Sequence, residues 1–370
     1  MKKFSILLSM EAIAKIVTPV KTGVQSACNA MKFLDSGVRR NDRRGFHTTF
    51  AITSMAIILL SNAAFAADKK MIRIGVTQIV SHQALDADQK GFENALSGSG
   101  FKEGVNVIYD RQNAQGDMNK ANAIAQKFND EKVDLIHAIA TPTTQVVVKV
   151  TKNIPVVFSS ITDPINAGIV PKDSAPGMKT GTNVTGVSDR WPVFRQMEMY
   201  AKFIPKAKQW GTIYNAGEAN SVVHIKEMRE AAKKLGLELV EVTITDRSEV
   251  PRAVNSLVGK VQAVVISSDN TAISDFETIV KVCNEKKIAL FAGDVDSVPK
   301  GAIAAYGLDY FLVGYSAGKK AVLVLKGLKP GEIPWGPMEK FSLVINPGAA
   351  KLQGVTIPPD ILKKADKVLK

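Results

Sequence analysis

The chain has 370 residues, 45% hydrophobic, 22% charged and 6% aromatic, with two cysteines and a formal net charge of +13. That length and apolar content support one large or two medium globular domains and exclude disorder over most of the chain. Self-similarity with a solenoid period, sustained heptads and multiple spanning stretches are all missing, which argues against repeat proteins, coiled coils and multi-span membrane proteins. The positive charge invites a nucleic-acid reading, so its distribution has to be resolved first.

The segment FAITSMAIILL, from Phe50 to Leu60, follows Arg39, Arg40, Arg43 and Arg44 and precedes Ala64-Phe65-Ala66. A basic stretch, a short apolar core and an A-x-A site predict a secretory signal peptide cleaved after Ala66. As a helix the apolar core would span only about 16 Å, against the ~30 Å hydrocarbon layer, so an uncleaved anchor fits less well. Within residues 11–46, TPVKTGVQ (Thr18–Gln25) and FLDSGVRRNDRR (Phe33–Arg44) resemble translated dispersed palindromic repeats, as an inserted repeat or an early start codon would give. Residues 1–66 carry nine Lys/Arg and three Asp/Glu, so their removal lowers the net charge from +13 to +7. The remaining charge is scattered, which predicts no nucleic-acid partner. Cys28 leaves with the leader and Cys283 stands alone, so no internal disulfide is possible; a large core suits export to the periplasm all the same.

Past the leader, strand and helix alternate. Ile72–Val80 is β-branched and predicts the first strand. Leu85, Phe92 and Leu96 then recur at helical spacing, and Val105–Tyr109 reads as strand two. Ala121, Ile124, Ala125 and Phe128 mark a narrow amphipathic helix face. Asp134–Ala138 is strand three, Thr141-Pro142 opens a helix, and Ile154–Ser159 is strand four. A loop rich in Pro, Gly and Asn runs from Asp163 to Gly186. The alternation restarts with strands at Gly211–Asn215, Glu238–Ile244, Ala263–Ser267 and Ala289–Phe291. Between them lie helices at Asn220–Leu235 and Glu249–Val258, and a helix face at Ile273, Phe276, Val280 and Cys283. A strand at Ala302–Tyr306 and a helix near Phe311–Leu325 look like a return to the first lobe, and the tail from Phe341 completes the second.

This pattern predicts an α/β fold of two Rossmann-like lobes with parallel sheets, joined by several crossings into a hinged cleft. The expected first lobe comprises residues 67–187 plus about 294–333. The second comprises 188–293 plus about 334–370. Crossings are expected near Gly186–Ser188, Phe291–Gly293 and Pro330–Pro337.

Most catalytic and metal signatures are missing: the chain has no H-E-x-x-H, C-x-x-C or G-x-G-x-x-G. Gly314–Lys319 (GYSAGK) falls one residue short of phosphate-loop spacing and sits in a predicted helix. His137 reads as a satisfied core residue, His224 as surface, and His82 as a loop residue after strand one. No enzymatic activity, cofactor or metal is therefore expected.

What does stand out is the polar residues where strands end, the place where doubly wound sheets bind ligands. In the first lobe these are Thr77, Gln78, Ser81, His82, Thr141, Thr143, Ser160, Thr162 and Asp163. In the second they are Asn215, Asn220, Ser221, Asp269, Asn270 and Asp294. Each of these residue types also caps helices, which is its commoner role. As a set around one cleft they favour a ligand. Hydroxyl and N–H groups suit a carboxylate, and Asp269 or Asp294 suits an ammonium, a pairing that matches an amino acid.

Several stretches carry a family resemblance: SHQALDADQKGF (Ser81–Phe92), IATPTTQ (Ile139–Gln145), IPVVFSSITDPINAGIV (Ile154–Val170) and NVTGVSD (Asn183–Asp189). They continue with YNAGEANS (Tyr214–Ser221), SSDNTAIS (Ser267–Ser274) and FAGDVDSVPKGAIAAYGLDYFLVGYSAGK (Phe291–Lys319). In this order the chain resembles the periplasmic substrate-binding proteins of ABC transporters with the type I fold, and within them the family associated with tryptophan and tyrosine uptake. The resemblance implies a two-lobed protein that closes on a small ligand and delivers it to a membrane permease with a cytoplasmic ATPase; a monomer is expected. A ligand-presenting sensor and a periplasmic enzyme on the same scaffold are the alternatives. An aromatic ligand would want a stacking ring, and Phe158, Trp191, Tyr214 and Tyr306 are candidates.

Overall fold

The computed structural model describes residues 71–370, so the expected signal peptide and its cleavage site lie outside the described residues. The first lobe opens with β1 (Ile72–Gln78), α1 (Gln83–Gly98), β2 (Val107–Asn113) and α2 (Met118–Asp130). It continues with β3 (Leu135–Ile139), α3 (Thr141–Val150), β4 (Val156–Ile161) and β5 (Val184–Ser188). Strands β3 and β4 are buried along their whole length, as expected of central parallel strands covered by helices on both faces. The elements expected from sequence appear in the expected order, with ends that coincide or differ by up to four residues.

The second lobe carries α4 (Val193–Ala201), β6 (Gln209–Asn215), α5 (Ala219–Leu235), β7 (Glu238–Ile244) and α6 (Val250–Leu257). After these come β8 (Ala263–Ile266), the short α7 (Asn270–Ile273), α8 (Phe276–Lys286), β9 (Ala289–Ala292) and β10 (Ala304–Gly307). Helix α9 (Tyr310–Leu325) and β11 (Gly336–Pro337) return to the first lobe. β12 (Ser342–Ile345), α10 (Pro347–Leu352), α11 (Pro359–Leu362) and β13 (Lys367–Val368) finish the second.

The two sheets repeat one topology. The first runs β11-β5-β4-β3-β1-β2 and the second β13-β12-β10-β9-β8-β6-β7, so each contains the 2-1-3-4-5 order of a doubly wound sheet. Neighbours pair in parallel except β10 with β12. The chain crosses between the lobes three times: after β5, between β10 and α9, and between β11 and β12.

Three sequence expectations change. Val184–Ser188, read as the end of a loop, is a buried strand; it is short and interrupted by Gly186, where a Cβ would fall 2.3 Å from the Phe158 carbonyl oxygen. The strand at Ala304–Gly307 pairs with β9 and β12, so it belongs to the second sheet, and only the helix after it returns to the first lobe. The second crossing accordingly lies near Leu308, well beyond the Phe291–Gly293 expected. His224 is fully buried rather than on the surface. On α5 the buried stripe of Ile225, Met228, Ala231 and Ala232 continues toward the helix N-terminus as Asn220, Ser221 and His224, so polar residues occupy a core-facing track where it reaches the cleft.

The GYSAGK segment is explained by packing. It lies in α9, which packs against α1. A Cβ at Gly314 would meet the Asp88 carbonyl oxygen at 1.8 Å, one at Gly318 the Phe92 carbonyl oxygen at 2.6 Å, and one at Gly91 the Phe311 carbonyl oxygen at 1.9 Å. The glycines let two helix backbones approach without intervening side chains. This contact holds α1, whose N-terminus faces the cleft, rigidly in the first lobe.

Candidate functional site

In each sheet the loops after the strands converge on the other lobe, and between them lies a small chamber. From the first lobe it is lined by His82, Ala84 and Leu85 after β1, and by Ser160 and Thr162 at the end of β4. Asp189 and Trp191 follow β5, and Tyr310 starts α9. The second lobe contributes Asn220 after β6, Ser268, Asn270 and Ile273 after β8, and Asp294 after β9. Every contributor sits at or beyond a strand's carboxyl end, where doubly wound sheets leave a crevice at the switch point.

Direct bonds join the lobes across this chamber. His82 Nε2 lies 3.4 Å from Asn270 Oδ1, Thr162 Oγ1 lies 3.3 Å from Ser268 Oγ, and Gln83 Nε2 donates to Ser297 Oγ at 3.0 Å. The cleft is closed.

The chamber is acidic. Asp189 accepts from Thr162 Oγ1 at 3.2 Å and from Tyr310 OH at 2.6 Å, and no cation faces it among the lining residues. Burial pushes its carboxyl up to about 6. Asp294 accepts from the Ser297 N–H and hydroxyl, both at 2.8 Å, and burial raises it as well. Asp296 behind it is pushed up to about 8 by burial and by Asp294. Buried carboxylates without a counter-ion leave a place for a cation. Opposite in character is the N-terminus of α1. Its cap residue His82 makes no side-chain cap, so the first N–H groups of a 16-residue helix are open to an anion.

One aromatic wall completes the chamber. The Trp191 ring stacks on His224, with centroids 4.7 Å apart, and a Cβ at Gly293 would fall 1.6 Å from it. Gly293 is thus the residue that lets the indole lie against β9. His224 Nδ1 bonds Ser268 Oγ at 2.7 Å, and burial lowers this imidazole to about 3, so a neutral ring backs the indole. Phe158 instead packs in the core toward Trp335, Tyr214 donates to Glu241, and Tyr306 packs toward Phe341.

Of the fifteen residues named from sequence, His82, Ser160, Thr162, Asn220, Asn270 and Asp294 line the chamber. The other nine are placed elsewhere. Gln78 and Ser81 donate to Asp86, which ties down the loop after β1. Thr77 and Thr141 are buried beside the strand ends, and Thr143 donates back to the Ile139 carbonyl. Asp163 caps its own loop at Asn166 and pairs with Arg190. Asp269, considered for an ammonium, is consumed by the Asn215 N–H, the Ser221 hydroxyl and the Ala272 N–H. Asn215 bonds the Thr245 carbonyl and Thr271. Capping accounts for much of this group, as the residue types allow.

Asp189 and Tyr310 line the chamber without having been named as site residues. Asp189 and Tyr310 lie within two of the quoted family stretches, the only signal sequence offered. Ser160 has φ +58 and Ala140, at the end of β3, φ +73. Left-handed backbone at two non-glycine strand ends is strain of the kind that collects at binding sites. Buried Asp88 holds both serines there, accepting from Ser159 Oγ at 2.8 Å and from the Ser160 hydroxyl. His137, the expected core histidine, bonds Ser159 Oγ at 2.8 Å and stacks on Phe92.

Two Rossmann-like lobes closed over one small acidic and aromatic chamber define the class: a two-lobed α/β solute-binding protein. The particular family follows from comparison. Residues 73–369 match the ABC transporter substrate binding protein family, and the chain belongs to it. A protein described as a tyrosine-binding protein, from Clostridioides difficile, is 41% identical over 283 residues, 76% of this chain and 81% of that protein. The ABC domain in complex with L-Trp from Streptococcus pneumoniae is 35% identical, with a TM-score of 0.76 over 81% of this chain and 100% of that one. A ligand-free, open substrate binding protein with adhesive properties from Clostridium difficile is 38% identical, with a TM-score of 0.59 over 81% of this chain and 99% of that one.

Proposed function

We propose that this protein is the extracytoplasmic solute-binding component of an ABC importer, that it binds an aromatic amino acid between its lobes, and that it hands the ligand to a membrane permease driven by a cytoplasmic ATPase. The observation that carries the reading is the chamber's polarity. Two buried carboxylates, Asp189 and Asp294, share it with the open N-terminus of α1 and the face of Trp191. An α-ammonium matches the first, an α-carboxylate the second and an aromatic side chain the third. The tyrosine and tryptophan bound by the two relatives support the same ligand class.

Binding and closure are one equilibrium. Each lobe supplies part of the contact set, so the ligand favours the closed arrangement by its differential affinity. The overall arrangement is nearer to the tryptophan-bound relative than to the ligand-free, open one, although their identities to this chain are similar; this supports a closed state built around a ligand. Hinge motion at the three crossings would open it.

Calorimetric titration of the protein, unfolded and refolded to strip bound ligand, against tyrosine, tryptophan, phenylalanine and a panel of other amino acids tests the reading. Micromolar or tighter binding of an aromatic amino acid is expected. Tight binding of another solute would remove the aromatic specificity, and turnover of a bound compound would replace transport with enzymatic activity.

A further inference from the structure

Glu218 does not line the chamber, yet more cleft residues depend on it than on any single lining group described above. It is buried at the N-terminus of α5. Its Oε1 accepts from the Thr271 N–H at 3.0 Å and from Thr271 Oγ1 at 2.7 Å. Its Oε2 accepts from Asn220 Nδ2 at 3.0 Å, from the Asn270 N–H at 3.1 Å and from Asn270 Nδ2 at 2.6 Å. One carboxyl group therefore organises the ligand-facing ends of α5 and α7 together.

The bond to Asn270 Nδ2 has a consequence across the cleft. An amide has one donor end and one acceptor end, so with Nδ2 committed to Glu218, Oδ1 is the end turned to His82. Flipping the amide would set Oδ1 against the Glu218 oxygen, two acceptors in contact. Facing an acceptor, His82 Nε2 has to carry the proton. In a neutral imidazole the other nitrogen, Nδ1, is then a lone-pair acceptor. That Nδ1 is buried and has no hydrogen-bond partner in the protein, and the His82 side chain lines the chamber with only 8% of the residue exposed. Burial, which lowers the imidazole to about 4, keeps the ring neutral near pH 7.

We infer that Glu218 is a positioning residue: by orienting Asn270 it holds His82 as the Nε2–H tautomer, and His82 Nδ1 accepts a polar hydrogen of the bound solute. The solute class is thereby narrowed to molecules that present an N–H or O–H at that point. For an amino acid the donor is either the α-ammonium or a side-chain phenol or indole group. The inference deepens the amino-acid reading and rests on it for the identity of the donor, but the tautomer is a property of the protein alone.

Long-range proton–nitrogen NMR of histidine-labelled protein reports which ring nitrogen carries the proton, and the His82 signal is assigned with His82→Phe. Wild type is expected to show protonated Nε2 and bare Nδ1, and Glu218→Gln, which offers an amide donor where only acceptors fit, a mixed tautomer population. In calorimetry with L-tyrosine and L-tryptophan, His82→Phe should bind about ten-fold or more weakly, and His82→Asn, whose Oδ1 restores an acceptor near Nδ1, should recover part of the loss. Comparing tyrosine with phenylalanine, and each amino acid with its desamino analogue, separates a side-chain donor from the ammonium. A protonated Nδ1 in wild type overturns the inference even if aromatic amino acids bind tightly. An unchanged tautomer in Glu218→Gln overturns the positioning role. If neither amino acid binds, the solute half falls with the functional reading, while the tautomer still decides the role of Glu218.

Discussion

Replacing Asp189 by Asn should both weaken ligand binding and close the empty protein. The substitution keeps the shape and removes the charge; the amide oxygen still accepts from one of the two hydroxyls, Thr162 or Tyr310, and the other turns to accept from the new NH2. In the closed form burial lifts this carboxyl from its ordinary value of 3.8 to about 6. The closed fold therefore favours the protonated acid, so the penalty on closure appears as pH rises through this interval and is fully present above about pH 6. At about 1.4 kcal/mol per unit, roughly 3 kcal/mol opposes closure at pH 7.5 when no cation is bound. Opening wets the carboxylate and removes the penalty; a ligand ammonium removes it in the closed state. Asp189→Asn abolishes it outright, which shifts the empty protein toward closure by up to about 100-fold. The ligand meanwhile loses a charge-assisted bond worth about 1.5–3 kcal/mol, or about 10- to 150-fold in affinity. Small-angle scattering of ligand-stripped protein measures the first effect and calorimetry the second. A variant that scatters like open wild type without ligand, or that binds as tightly as wild type, would refute the reasoning.

Other predictions follow from the same geometry. Affinity for an amino acid should fall at acid pH, as Asp189 of the open protein takes up a proton near its ordinary value of 3.8 and no longer pairs with an ammonium; titrations from neutral pH down toward about 4 check the sign. Gly293→Ala should displace the Trp191 ring, since the new methyl would sit within 1.6 Å of it, and should quench or shift indole fluorescence and cut aromatic binding at least ten-fold, against an expected loss of about 1–3 kcal/mol for overpacking. Gly314→Val should push α9 off α1 and destabilise the fold by about 3 kcal/mol, read as a lower thermal midpoint, because the obstacle is the Asp88 backbone. Burial lowers His224 to about 3, so it contributes stability that is present above its unfolded value of 6.5 and is lost as pH falls toward 3. At pH 5 that loss is about 2 kcal/mol, which His224→Gln should lack in denaturant titrations.

Much of the fold was legible in sequence because parallel strands buried on both faces read as apolar runs. Val156–Ile161 and Ala263–Ile266 are such runs, and the helices between them keep a single apolar stripe. The element it missed, β5, has a five-residue span with glycine at its centre and follows a long loop, so neither composition nor period marked it. His224 was misplaced because a helix N-terminus aimed at a cleft carries polar residues on its buried track, which from sequence looks like a solvent-facing end.

By itself the sequence determined the class of architecture and the family, since both are written in local pattern and in ordered motifs, and it marked the strand ends that meet around the chamber. Tertiary structure alone decided which polar residues line the chamber. Asp269 and Asp294 are both aspartates after second-lobe strands, yet the first is consumed by three donors of its own lobe while the second borders the chamber. Asp189 and Tyr310 are 121 positions apart and meet only because the chain crosses between the lobes and returns. A capping residue and a ligand-binding residue are chemically identical along the chain. They differ only in which donors the folded backbone brings within 3 Å, and that is a property of packing rather than of sequence pattern.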